Sequence, residues 1–97
     1  MSVLVTLDVK VKPGSSDDLT NWFKNELHHT RGFEGCNGIT VHRNQDDHNN
    51  LVIVEDWDSR SHYEKYLSWR AERGDVEVLV GLLDGEPKFT YFDNIGV

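Results

Sequence analysis

Apolar and polar residues alternate strictly at the start of the chain. Val3, Val5, Leu7, Val9 and Val11 fall on one side, and Leu4, Thr6, Asp8, Lys10 and Lys12 on the other. A period of two predicts a strand whose second face turns polar toward its end. Pro13-Gly14 stops it with turn chemistry. The period then lengthens: Leu19, Trp22, Phe23 and Leu27 form the apolar stripe of a helix. Ser15 or Ser16 caps it, Asp17 and Asp18 suit its positive end, and Gly32 terminates it. From Gly38 to Arg43 alternation returns, with Ile39 and Val41 opposite Thr40 and His42. The polar run NQDDHNN, residues 44–50, then turns the chain back as a hairpin.

Leu51, Val52, Ile53 and Val54 are apolar without alternation, three of them β-branched, which suits a strand buried on both faces. Trp57 shares the face of Leu51, Ile53 and Glu55. Asp58 or Ser59 caps a second helix on which Tyr63, Tyr66, Leu67 and Arg70 line one side. Gly74 and Asp75 break and re-cap the chain, and the dense apolar run from Val76 to Leu83 predicts a short helix ending at Gly81 or Gly85. Pro87 opens a last strand, KFTYFD, residues 88–93.

The order strand, helix, strand, strand, helix, short helix, strand is the split β-α-β-β-α-β plan. It predicts an α+β, ferredoxin-like fold: one antiparallel sheet with its helices on one face, in a single domain over residues 1–97. Helices on one side leave Val52 and Val54 uncovered on the other. Leu4 joins them, and Phe92 or Phe89 according to register. A second copy of the chain is the simplest cover, so a homodimer is expected.

Composition narrows the function. A net charge of −7 argues against nucleic acid, whose binding needs clustered Lys and Arg. No apolar run approaches the ~20 residues of a membrane span. The start, MSVLVTLDVK, lacks a basic leader and meets Asp8 too soon for a secretory signal, so a cytoplasmic protein is expected. Cys36 stands alone and reads as passive. The five His lack paired ligand spacing, so no metal and no haem is expected. His28 and His29 point about 100° apart on a helix, and His48 sits in a solvated loop.

The chain resembles the antibiotic-biosynthesis-monooxygenase-like domain of the dimeric α+β barrel superfamily. The resemblance rests on Val11-Lys12-Pro13-Gly14 closing strand one, Gly35-Cys36-Asn37-Gly38 leading into strand two, Glu55-Asp56-Trp57, and Tyr91-Phe92. It implies a dimeric barrel. It leaves activity open among cofactor-free oxygenation of phenols and quinols, haem degradation, and isomerase-like handling of small sugar-derived signals. Trp57 matches the family's strand-end Trp, and Tyr63 an aromatic of polyketide-oxidising members. Tyr66 stands where many members carry a helix His. Haem-degrading members use an Asn on strand one, which Val5-Thr6-Leu7-Asp8-Val9 lacks.

The resulting expectation is a cofactor-independent monooxygenase acting with O2 on a small aromatic, a quinol or polyphenol, in a pocket between sheet and helices. In it Trp57 stacks the ring, Tyr63 and Tyr66 hydrogen-bond its oxygens, and Arg70 stabilises developing negative charge. Glu55 serves as general base if burial raises its pKa; its ordinary role is a structural carboxylate holding Arg70 or a backbone amide. His42 is a second candidate. Equally, Trp57, Tyr63, Tyr66 and Arg70 at this spacing suit an ordinary core with polar tips. The alternatives are isomerase-like processing of a small polar metabolite, or a dimeric protein that binds a small ligand without turnover.

Overall fold

The computed structural model describes residues 2–97. In chain order the elements are β1 (Val3–Lys10), α1 (Ser16–Arg31), β2 (Cys36–Arg43), β3 (Asn50–Trp57), α2 (Arg60–Glu72), α3 (Asp75–Leu82) and β4 (Lys88–Asp93). The strands form one antiparallel sheet in the order β2-β3-β1-β4. The two most apolar strands, β1 and β3, therefore take its centre, as burial on both sides requires. Among the described residues no helix is long and apolar enough to cross a membrane.

Strand parity sends Leu51, Ile53, Glu55 and Trp57 of β3 to the helix-covered face, where all four are buried. Val5 and Ile39 flank Glu55 there, from β1 and β2. Two apolar groups fill this layer. One gathers Val9, Leu19, Leu27, Ile53 and Leu83 under α1 and α3, and the other Val3, Val5, Trp57, Tyr63 and Tyr66 under α2. Val11 is buried beyond the end of β1 and bridges Leu83, clasping the exit of α3 to the sheet.

β2 begins at Cys36, two residues before the apolar alternation starts. A bulge between Cys36 and Gly38 makes room for Asn37, whose amide donates to Asp56 and Asp58 at 3.0 Å each. Just before it Gly35 adopts φ +92°, and a Cβ there would lie 2.6 Å from the His62 ring. That ring lies 2.6 Å, Nδ1 to Oγ, from Ser59, whose oxygen caps α2 by accepting from the His62 amide. Glycine is thus required where the strand crosses the start of the helix.

Two expected caps differ. Ser15 occupies the N-cap of α1 but its hydroxyl makes no capping bond. Asp75 does not cap α3, because Arg70 and Arg73 take its carboxylate; Gly74, at φ +83°, supplies the turn instead. Gly81 lies inside α3, which runs one residue further, to Leu82.

The opposite sheet face carries no helix. Val52 and Val54 are half-buried there, and Leu4 pairs with Phe92 at 39% and 46% exposure. Phe89 is opposite Leu7 and so belongs to the helix side. His42 is exposed on the bare face, opposite Val52.

Candidate functional site

Between the sheet and the helices lies a cavity of about 120 Å³. Ile53 and Glu55 form its floor, Tyr63 and Tyr66 of α2 one wall, and Leu19 and Phe23 of α1 another. Val76 and Val80 of α3 and Phe89 of β4, all partly exposed, border it toward solvent. The lining is almost wholly apolar. Its ionisable groups are Glu55, Tyr63, Tyr66 and Arg70.

Arg70 and Tyr66 are already committed elsewhere. A guanidinium has five N–H donors, and each has a partner here. Nε donates to the Tyr66 hydroxyl at 2.8 Å. One terminal nitrogen donates to Glu26 Oε1 at 2.8 Å and Asp75 Oδ2 at 2.9 Å. The other donates to the Glu26 carbonyl at 3.0 Å and Thr30 Oγ1 at 3.1 Å. Arg73 reaches the same two carboxylates at 3.3 Å, so two cations face two anions. The Tyr66 hydroxyl also shares a 2.6 Å hydrogen bond with Thr30, and Thr30 is fully buried. Both side chains show the cavity their carbon frames and turn their polar ends into this network. Arg70 therefore holds Glu26 and Asp75 rather than Glu55, and has no donor left for a substrate anion.

Glu55 and Tyr63 remain. Glu55 is 3% exposed, and its Oε1 accepts from the Trp57 indole N–H at 3.2 Å. Burial strips water from the carboxylate and pushes its pKa up to about 7, although the Trp57 and Tyr63 side chains favour the anion and lower it. Tyr63 is buried against Glu55, and desolvation first, then that neighbouring charge, raises its phenol above the usual range. Tyr63 is thus a neutral donor beside a carboxylate that changes charge near neutral pH. Tyr63 has a single O–H, which favours the Glu55 anion; once Glu55 has taken a proton from a bound hydroxyl, that O–H is free to turn to the oxygen left behind.

Trp57 and His42 lie apart from the cavity. Trp57 is fully buried beneath Tyr63 and Tyr66, its ring centroid 5.5 and 5.1 Å from theirs, so it orients Glu55 and has no free face for a ligand to stack on. His42 Nε2 is 2.8 Å from Thr40 Oγ1 on the bare sheet face. The ring is on the wrong side of the sheet by strand parity. Cys36 is half-buried with its thiol pKa raised, mainly by that burial. Among the described residues no three of His, Cys, Asp and Glu gather as a metal site would require.

Glu26 and Thr30 were not anticipated as partners of Arg70. Their signal is spacing, since positions 26 and 30 continue the stripe of Leu19, Trp22, Phe23 and Leu27. Polar residues on an apolar stripe need buried partners, and Arg70 is the matching cation across the interface.

Tyr66→Phe should strand a buried, charged donor, the Arg70 Nε–H, and cost about 1–3 kcal/mol in denaturant unfolding. An unchanged midpoint would contradict the network. Glu55→Gln tests the buried carboxylate. The folded pKa, about 7, lies above the ordinary 4.5, so the stability linked to this group is fully present below pH 4.5 and lost as pH rises through 7. The Gln variant escapes that loss. Its stability relative to the native protein should grow between these pH values, by about 3 kcal/mol at most. A constant difference across that window would contradict the raised pKa.

Solved structures share this arrangement of elements. A conserved protein of Methanosarcina mazei Go1 superposes with a TM-score of 0.86 at 20% identity, covering 95% of this chain and 91% of its own. SnoaB, a cofactor-independent oxygenase of Streptomyces nogalater, does so with a TM-score of 0.84 at 16% identity, covering 99% and 95%. At such identities the likeness is one of fold. No curated protein matches the chain. The family profile described as "Antibiotic biosynthesis monooxygenase" matches residues 2–71. That match spans β1 to the buried end of α2, including Glu55, Tyr63 and the Arg70 network apart from Arg73 and Asp75. The chain belongs to the antibiotic biosynthesis monooxygenase family.

Proposed function

We propose that the protein is a cofactor-independent monooxygenase of a single-ring quinol or phenol, with Glu55 as general base and Tyr63 as the donor that holds the substrate oxygen. The observation that carries this reading is the burial of Glu55, 3% exposed, in an apolar cavity of about 120 Å³, which pushes its pKa up to about 7. That volume is of the order of the roughly 150 Å³ that accommodates benzene, and the cavity opens toward solvent past Val76, Val80 and Phe89, so it suits a single aromatic ring better than a fused polycycle.

The chemistry asks little of the protein. Glu55 takes the proton of a ring hydroxyl, and the anion passes one electron to O2. The substrate radical and superoxide combine at a ring carbon to form a C–O bond. The peroxide takes up a proton, and loss of the ring C–H proton breaks the O–O bond. One oxygen stays as a quinone carbonyl and the other leaves as water. A water-poor cavity favours the deprotonation by strengthening the hydrogen bonds to the anion. The SnoaB likeness lends support at the level of fold. Isomerase-like handling of a polar metabolite would want free charge in the cavity, and the guanidinium is fully engaged.

Oxygen uptake with a panel of quinols tests the reading. Single-ring quinols should be consumed, and three-ring quinols should not. The rate should rise with pH about a midpoint near 7. Glu55→Gln should cut it by about 10²–10⁴, the usual worth of a general base. A Glu55→Gln protein at the native rate would overturn this assignment, and isomerisation without oxygen uptake would favour the other reading.

We also infer a homodimer through the bare sheet face. Val52, Val54, Leu4 and Phe92 form an apolar centre, with Thr6, Thr40 and Thr90 as neutral neighbours on the same face. An interface of this kind should bury more than about 2,000 Å² in total. Val54→Asp should yield monomer or insoluble protein. A native chain sedimenting as a stable monomer at micromolar concentration would contradict the inference.

A further inference from the structure

We propose that the groove between α1 and the outer end of β2 is a second ligand site, shaped for a small apolar carboxylate. The groove is an open cleft of about 460 Å³ and shares no polar side chain with the cavity above. Small-molecule sites occupy about 300–1,000 Å³.

The site follows from two periodicities. Thr20, Lys24, Leu27 and Arg31 recur at helical spacing and border the groove from α1. On β2, Ile39, Val41 and Arg43 share the helix-facing parity, so Arg43 points across the groove from the end of the strand. Beneath these groups lie Phe23, Leu27, Val41 and Leu51, where α1 leaves the corner of the sheet half covered. The result is an apolar floor with three cations on its rim.

The charge of the rim is unusual for this chain, which has 17 Asp and Glu against 10 Lys and Arg. Three of those ten cations meet here, and among the described residues no carboxylate pairs with any of them. Their hydrogen bonds go to neutral groups. Arg43 donates to Ser16 Oγ at 2.9 Å and Thr20 Oγ1 at 3.5 Å, and Arg31 to the Ile39 carbonyl at 3.4 Å. These bonds orient both guanidiniums and use one terminal nitrogen of each, leaving further donors for a bidentate carboxylate. An apolar body would lie on the floor with its carboxylate at the rim. Nucleic acid is a poor fit, because a strand wants a continuous cationic track with stacking aromatics.

Octanoate is a suitable probe, titrated into the intact ¹⁵N-labelled protein at low salt with acetate and 1-octanol as controls. Saturable shifts of amides in residues 20–31 and 41–43 are expected, with acetate and octanol each needing at least about tenfold more ligand, since each lacks one half of the recognition. Arg31→Gln and Arg43→Gln should each weaken octanoate about tenfold, as losing a charge-assisted hydrogen bond does. Both residues are exposed, so their melting temperatures should match the native protein. Glu55→Gln should bind octanoate normally, which separates this site from the oxygenase reading. Octanoate no tighter than acetate, shifts confined to the cavity lining, or native affinity in Arg43→Gln would each overturn the proposal.

Discussion

The arrangement of helices over the sheet depends on one buried guanidinium. Arg70 uses all five donors, and the acceptors come from α1, α2 and the first residue of α3. Removing one partner of such a buried pair costs about 3–5 kcal/mol, because the other charge stays stranded in a poor solvent. α3 depends on this guanidinium most. Eight residues form too short a helix to persist unaided, and this one is held by Asp75 at its start and by the Leu83–Val11 bridge at its end. Between these ties it spans the cavity with apolar side chains alone.

Consuming Arg70 and Tyr66 in structure simplifies the site. The cavity keeps one ionisable base and one neutral phenol, and apolar groups elsewhere. Burying a carboxylate in such surroundings works against stability, and a local conflict of that kind marks functional positions. Trp57 and Tyr63 moderate it by favouring the anion, so the carboxyl titrates near neutrality rather than remaining permanently protonated. The strand-end tryptophan thus acts on the carboxylate through its indole N–H.

Much of the fold was legible because it rests on periodicity. The alternation in β1, the two-sided run in β3 and the stripes of α1 and α2 each translate directly into burial, and the split β-α-β-β-α-β order follows from them. Tyr63, Tyr66 and Arg70 on one face of α2 were legible for the same reason. What those residues do was not. A helical wheel places Arg70 on the buried side but does not say which carboxylate from another element will meet it, and Glu26 had no local signature beyond its place on a stripe. Parity contained an answer for His42: Ile39 faces Glu55, so a histidine three positions on must face away. Trp57 was harder, since a strand-end indole serves equally to stack a ligand or to hold a neighbouring carboxylate, and only packing under Tyr63 and Tyr66 separates the two.

The central claim is that a buried Glu55 carboxyl titrates near neutral pH in an apolar cavity. The most direct measurement is the ¹³C shift of its side-chain carboxyl, assigned against Glu55→Gln and followed from pH 4 to pH 9. A single titration with a midpoint of about 7 is expected. A midpoint near the ordinary 4.5 would show a solvated carboxylate and contradict the account.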